Sequence, residues 1–358
     1  MTTYLLAGGG TAGHVNPLLA VADGLRARSA DDEVLVLGTR EGLEARLVPE
    51  RGYELLFIGK VPFPRRPNGY ALRFPGLWRT AVRDVRGYIR DRGVDVVLGV
   101  GGYAAAPAYT AARKEHIPSV VHEANARPGL ANVLGARHAA AVGVAFAGTP
   151  IKQAEVVGMP LRPEIVNLDR AALRVEAAAH FGLDPAKPTL LVFGGSLGAQ
   201  RLNDAFAGSW QEVLDAGWQL LHATGEKSEL ADPGVAGYAV VRYLDRMDLA
   251  FALSDLIVSR AGASTVSEVA ALGIPAVYVP YAVGNGEQRF NAEPSVAAGG
   301  ALLIDDADFT AEKVRTDILP LLADRQAIER MATTAAGAGT RRGTENVIAL
   351  LDRALTPH

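Results

Sequence analysis

Twice along this chain a short, continuously apolar segment runs straight into a glycine-rich turn followed by a helical pattern. The first instance is Thr3–Ala7 with Gly8-Gly9-Gly10-Thr11-Ala12-Gly13; the second is Thr189–Phe193 with Gly194-Gly195-Ser196-Leu197-Gly198. A strand apolar at successive positions, rather than alternate ones, is buried on both faces, which demands a parallel sheet covered by helices. A strand–turn–helix unit that restarts halfway therefore predicts an α/β chain of two doubly wound, Rossmann-like domains. The length of 358 residues suits two domains better than one. Further strands are expected at 33–37, 95–99, 119–122, 219–223, 239–243, 256–259 and 276–279, with helices from about residues 17, 107 and 200. Pro160 and Pro163 mark the linker, giving domains 1–160 and 161–358. A last helix, about 344–355, could pack on either. Ligands of such sheets bind at the carboxyl ends of the strands, so the active site is expected in the cleft between the domains.

The chain has no cysteine, which excludes a disulfide framework, a thiolate metal site and a cysteine nucleophile, and fits a reducing compartment. The first basic residue is Arg26, so the apolar start lacks the basic leader of a secretory signal, and the longest apolar stretch, near 139–148, is about half a membrane span. Charge is unevenly divided: 19 Lys/Arg stand against 14 Asp/Glu up to residue 160, and 17 against 25 thereafter. Within the basic half, residues 60–92 carry Lys60, Arg65, Arg66, Arg73, Arg79, Arg83, Arg86, Arg90 and Arg92 interleaved with Phe63, Leu72, Phe74, Leu77 and Trp78. That mixture suits an anionic membrane surface or a phosphorylated partner; a solvated helix and loop is the plainer alternative.

Backbone N–H groups at a turn that opens a helix favour anions. The first turn satisfies the dinucleotide pattern G-x-G-x-x-G, yet Thr39-Arg40 stands where an acidic residue should end the second strand. An NADP-dependent oxidoreductase using Arg40 stays open. The second turn fits the G-x-S-x-G nucleophile elbow, but only His222 and His358 follow Ser196, so a hydrolase triad is hard to complete and diphosphate binding explains the turn equally well. A third element, Gly99-Val100-Gly101-Gly102-Tyr103, follows another strand.

Four groups of residues carry candidate chemistry. His14 starts the helix after the first turn, where the helix dipole lowers an imidazole's pKa and keeps it neutral, as a general base requires. His122-Glu123-Ala124-Asn125 closes a strand, and Asn125 offers a donor and an acceptor to sugar hydroxyls. In the run from Ser259 to Glu268 small residues open a helix, and Glu268 can accept from a ribose diol; helix capping by Thr265 or Ser267 is the bland alternative. Asp306-Ala307-Asp308 has a metal-nucleotide form but reads better as a helix-capping turn, so no protein-bound metal is expected.

These motifs, taken in order, resemble those of the MurG family of bacterial cell-wall glycosyltransferases over nearly the whole chain. The resemblance rests on the first turn through Pro17, Gly101-Gly102-Tyr103, His122 to Asn125, Val157 to Arg162, Gly194 to Ala199, Ser259 to Glu268 and Asn285 to Ala292. It implies the GT-B architecture and an inverting transfer of N-acetylglucosamine from UDP-N-acetylglucosamine to the C4 hydroxyl of N-acetylmuramic acid in undecaprenyl-linked lipid I. On this resemblance the catalytic base is His14, and the donor is held by Asn125, Arg162, Ser196, Leu244, Glu268, Glu287 and Gln288. The acceptor and its pyrophosphate fall to Gly10, Thr11, Gly13, Gly102 and Tyr103. No cofactor is implied, and the partners are the two substrates and the anionic inner face of the cell membrane, with no nucleic acid. Other GT-B enzymes, including glycolipid and natural-product transferases and UDP-N-acetylglucosamine 2-epimerases, are the nearest alternatives; a silent nucleotide-sugar sensor is a more distant one. Two positions depart from the family pattern: Ala12 stands at a usual glycine, and Glu287 replaces the first of a glutamine pair, losing an amide donor.

Overall fold

The computed structural model describes residues 1–64, 66–194, 200–281 and 286–356, with residue 12 described in its backbone alone. The chain forms two compact units, Met1–Arg162 with Arg341–His358, and Pro163–Thr340.

In the first unit β1 (Thr3–Ala7), β2 (Glu33–Gly38), β3 (Glu54–Phe57), β4 (Val96–Gly99), β5 (Ser119–Glu123), β6 (Ala141–Val144) and β7 (Glu155–Val156) make one parallel sheet in the order β3-β2-β1-β4-β5-β6-β7. Leu5 of β1 pairs with Leu35 on one side and Val97 on the other. Alternate side chains of this central strand feed two cores. Tyr4 and Leu6 pack with Val36, Leu98, Leu18 and Leu25 from the helix Ala12–Arg28, and Val347, Leu350 and Leu351 from the helix Gly343–Leu355. Leu5 and Ala7 pack with Leu37, Val97, Val82, Val85 and Ile89 from the helix Gly69–Asp91, and Ala108 and Ala111 from the helix Ala105–Glu115. Each fully buried leucine or valine here contributes about 2 kcal/mol of transfer free energy.

The C-terminal helix thus closes a core begun by the first strand. A Cβ on Gly24 would stand 2.8 Å from the Thr344 side chain, so the two helices meet where one lacks a side chain. Asn346 Nδ2 donates to the Val157 carbonyl at 2.9 Å, and Arg28 pairs with Asp352 at 2.8 Å.

The second unit holds β8 (Thr189–Phe193), β9 (Gln219–Ala223), β10 (Tyr238–Val241), β11 (Leu256–Ser259), β12 (Ala276–Tyr278) and β13 (Ala301–Leu303) in a parallel sheet ordered β10-β9-β8-β11-β12-β13. Leu190, Val192, Leu220 and Val258 pack against Leu202, Phe206, Phe309 and Ile318. In both sheets the order reverses beside the first strand, between β1 and β4 and between β8 and β11, and the crevice at such a switch point is where open α/β sheets bind ligands.

The helix after the first glycine turn begins at Ala12, five residues before the expected Pro17, because the Thr11 carbonyl closes its first turn by accepting His14 and Val15 N–H at 3.0 and 3.1 Å. β10 runs from Tyr238 to Val241 instead of 239–243. Among the described residues no helix is long and apolar enough to cross a membrane.

Candidate active site

In the first unit the loops after β1 and β4 touch. Gly102 has φ +79°, and a Cβ there would stand 2.4 Å from the Gly9 carbonyl oxygen; one on Gly101 would meet the His14 ring at 3.0 Å. His14, on the first turn of its helix, is therefore held between two glycine loops, with Nδ1 3.3 Å from Thr11 Oγ1. Burial lowers the imidazole pKa, and the carboxylates of Glu123 and Glu44 oppose that shift. Tyr103 is 39% exposed, and the Lys60 ammonium lies 4.8 Å from its ring centroid.

Two buried carboxylates flank this region. Glu123, at the end of β5, accepts from Asn125 N, Gly129 N and Asn132 Nδ2, each at 2.9 Å. Asn132 Oδ1 in turn accepts the Tyr109 hydroxyl at 2.8 Å. Glu123 thus shapes the turn that carries Asn125, whose Nδ2 is 3.4 Å from Glu123 Oε1. Glu44 starts the helix Glu44–Glu50 and reaches back to the first turn, accepting Gly10 N–H at 2.7 Å and Thr39 N–H and Oγ1 at 2.9 Å each. The acid missing from the end of the second strand in sequence is supplied in space by Glu44. Gly10, expected to offer its amide to the acceptor pyrophosphate, has committed that amide to a carboxylate of its own chain. Thr11 and Gly13 flank the same helix start. Arg40, the residue on which an NADP reading depended, stacks over the Phe57 ring at 4.3 Å.

His122 is fully buried; Nε2 donates to the Gly158 carbonyl at 3.0 Å, while Nδ1 has no partner among the described residues. Burial drives its pKa down to about 4.

In the second unit Ser196 lies outside the described residues, as does the rest of its turn from residue 195. The helix that follows, Gln200–Ala207, is anchored by Asn203, whose Nδ2 donates to the Thr224 carbonyl at 2.9 Å and whose Oδ1 lies 3.0 Å from His222 Nε2. His222 Nδ1 then accepts from the Tyr238 hydroxyl at 3.0 Å. With both ring nitrogens engaged in the core, His222 is unavailable to a hydrolase triad.

After β11 the chain enters the helix Ala263–Ala271, whose N-cap is Gly262 with no side-chain cap bond, so the capping role considered for Thr265 or Ser267 is not taken up. Glu268 is buried one turn further on. Gln288 Oε1 accepts from Ala261 N at 3.2 Å and Tyr281 N at 2.9 Å, fastening the helix Glu287–Ala297 to the loop after β11. Glu287 opens that helix beside it. Arg260 donates to the Val279 carbonyl at 2.9 Å and to Asp306 at 2.5 Å, and Asp306 also pairs with Arg201 at 3.2 Å. Asp306 is an ion-pair hub, which corrects its reading as a capping turn; Thr310 caps the next helix. Among the described residues no group of three or more His, Cys, Asp or Glu could hold a metal. Leu244 is buried three residues past β10, not at its end, and lines a cavity of about 490 Å³ with His180, Tyr238 and Arg246. Arg162 and Asn125 belong to the first unit.

Sequence reasoning missed Glu44, Asn132 and the Arg201–Asp306–Arg260 hub, since each acts on backbone or charge far along the chain. The compensating signal for Glu44 was the missing acid after β2.

Residues 4–144 match the glycosyltransferase family 28 N-terminal domain, and residues 189–347 its C-terminal domain. A protein of Leifsonia xyli subsp. xyli named UDP-N-acetylglucosamine--N-acetylmuramyl-(pentapeptide) pyrophosphoryl-undecaprenol N-acetylglucosamine transferase is 60% identical over 356 residues, 99% of each chain. The Streptomyces coelicolor protein of the same name is 49% identical over 98% of each. The crystal structure of MurG from Acinetobacter baumannii superposes with a TM-score of 0.81 at 30% identity, covering 98% of this chain and 99% of that one. A chain with both family 28 domains, this identity over nearly its full length and this architecture belongs to the MurG family of GT-B hexosyltransferases.

Proposed function

We propose that the enzyme transfers N-acetylglucosamine from UDP-N-acetylglucosamine to the C4 hydroxyl of the N-acetylmuramyl group of an undecaprenyl pyrophosphate-linked acceptor, with inversion at the anomeric carbon. The single observation that carries this reading is the 60% identity over 99% of the chain with a transferase so named.

In this reading the acceptor hydroxyl attacks the anomeric carbon, His14 takes its proton, and UDP departs. His14 is suited to the task because burial holds the imidazole neutral while Glu123 and Glu44 favour the imidazolium that forms. The second unit takes the donor: Ser196 and its turn the diphosphate, Leu244 the uracil side, and Glu268 the ribose hydroxyls. Asn125, Arg162, Glu287 and the Gln288 carboxamide address the sugar or its phosphates. Thr11, Gly13, Gly102 and Tyr103 face the acceptor pyrophosphate. Charge developing on the leaving diphosphate is met by turn amides and a helix N-terminus, so no metal or other cofactor is required.

The acceptor's lipid assigns the enzyme to the anionic inner face of the cell membrane. The helix Gly69–Asp91 supports that docking. Phe63, Phe74 and Trp78, with ring centroids 5.5–5.8 Å apart, hold one side of this helix to the core, while Leu72, 86% exposed, and Leu77 stand outward among the exposed Arg73, Arg79 and Arg83. Such a face buries apolar side chains in the interface while its arginines meet anionic headgroups.

The test is product formation from UDP-N-acetylglucosamine and a short-chain lipid I analogue, beside a control without acceptor. Disaccharide product with UDP release supports the reading; donor binding without transfer defeats it.

A further inference from the structure

We infer that Glu44 is a positioning residue for the transfer reaction, an internal anion that locks the first glycine turn and sets the field in which His14 works. The inference rests on the functional reading above. A buried carboxylate costs several kcal/mol unless its oxygens are satisfied, so an acid serving only to fill space would be a poor substitute for an apolar residue. Glu44 is 1% exposed and is satisfied by two backbone amides and a hydroxyl, all charge-assisted bonds.

The backbone is built to admit it. A Cβ on Gly9, Gly38 or Gly42 would fall 2.3, 2.5 or 2.0 Å from the Glu44 side chain. Gly9 and Gly10 adopt φ of +151° and +95°, backbone that glycine takes without strain and other residues do not, so the turn has freedom to lose. The bond to Gly10 removes that freedom. The held turn then carries Gly9 against Gly102, and Gly101 against the His14 ring, so the imidazole inherits its place from the carboxylate.

The charged groups acting on His14 are Glu123, from the end of β5, and Glu44, from the helix after β2; Thr11 supplies a hydroxyl from the turn itself. Glu123 spends its bonds on the loop after β5, whereas Glu44 alone of the two bonds to the turn that carries His14. The same carboxylate that fixes the turn therefore also favours the proton His14 receives.

The variants are Glu44→Gln, which keeps the shape and removes the charge, and Glu44→Asp, which keeps the charge one methylene short. We expect Glu44→Gln to lower kcat about tenfold to a hundredfold with little change in KM for UDP-N-acetylglucosamine. The acid limb of its kcat/KM profile and the His14 imidazole titration, followed by NMR, should both move to lower pH. Glu44→Asp should restore most of the titration while leaving kcat reduced. An unmoved His14 titration in a folded Glu44→Gln protein overturns the inference whatever the turnover. Absence of transfer by the unaltered enzyme would defeat the functional reading instead, and the titration would still decide the role of Glu44.

Discussion

Asn203 and His222 are joined side chain to side chain at 3.0 Å across the second unit, from the helix after the second glycine turn to the middle of β9. Because the Tyr238 hydroxyl can donate to Nδ1, the proton sits on Nε2 and Asn203 Oδ1 accepts it. Substituting Asn203 by Ala strands a buried imidazole N–H and loosens the helix. We expect a loss of about 1–3 kcal/mol in urea unfolding, with KM for UDP-N-acetylglucosamine raised and KM for the acceptor unchanged. Wild-type stability would mean the helix is held elsewhere.

Burial holds both His122 and His222 to a pKa of about 4. In the unfolded chain each takes up a proton near pH 6.5, while in the folded protein each resists until about pH 4. Their contribution to stability is complete above pH 6.5, falls through the window between these values, and is gone below it. The loss is on the order of 3 kcal/mol for each histidine. Urea midpoints at pH 7, 5.5 and 4.5 should show this slope, and His122→Gln should flatten it; an equal slope in that variant would contradict the assignment.

His14→Ala should cut turnover by about a hundredfold or more at unchanged thermal stability, the usual factor for general base catalysis. Near-normal turnover would remove His14 from the chemistry.

Under the proposed function Glu268 accepts from both hydroxyls of a ribose diol. Glu268→Ala should weaken UDP binding by roughly tenfold to a few hundredfold, measured by calorimetry. An unaltered affinity for UDP would place the ribose elsewhere.

Leu72→Asp with Arg73→Glu and Arg79→Glu should abolish sedimentation with phosphatidylglycerol vesicles and leave transfer to a short-chain, soluble acceptor intact, because these side chains lie on an exposed helix face. Undiminished vesicle binding would return this helix to an ordinary solvated surface.

The elements legible in the sequence were those with buried, continuous apolar runs: β1, β8, β9 and β11 have the expected bounds. β6 was not foreseen although Ala141–Val144 is buried within the longest apolar stretch, which was weighed only as a membrane span; β3, β7 and β13 were not foreseen for lack of such a run. Glu54–Phe57 is only partly buried, Glu155–Val156 is two exposed residues, and Ala301–Leu303 is a three-residue edge, so none carries a strong apolar signal. The glycine turns and His14 were legible because local rules link a strand end, a turn and a helix start. Glu44 was not, since its role depends on a bond to Gly10 across 34 residues. The same holds for Asp306, whose partners lie 46 and 105 residues away.

The return of the helix Gly343–Leu355 to the first unit bears on how the protein is made. A ribosome delivers all of Pro163–Thr340 before the last piece of the first sheet's cover has been synthesised. The later unit can therefore finish folding first, while Tyr4, Leu6 and Leu98 wait with one side open. A chain stopped before Gly343 would lose the helix that seals them, so the first unit can close only after the whole of the second has been made.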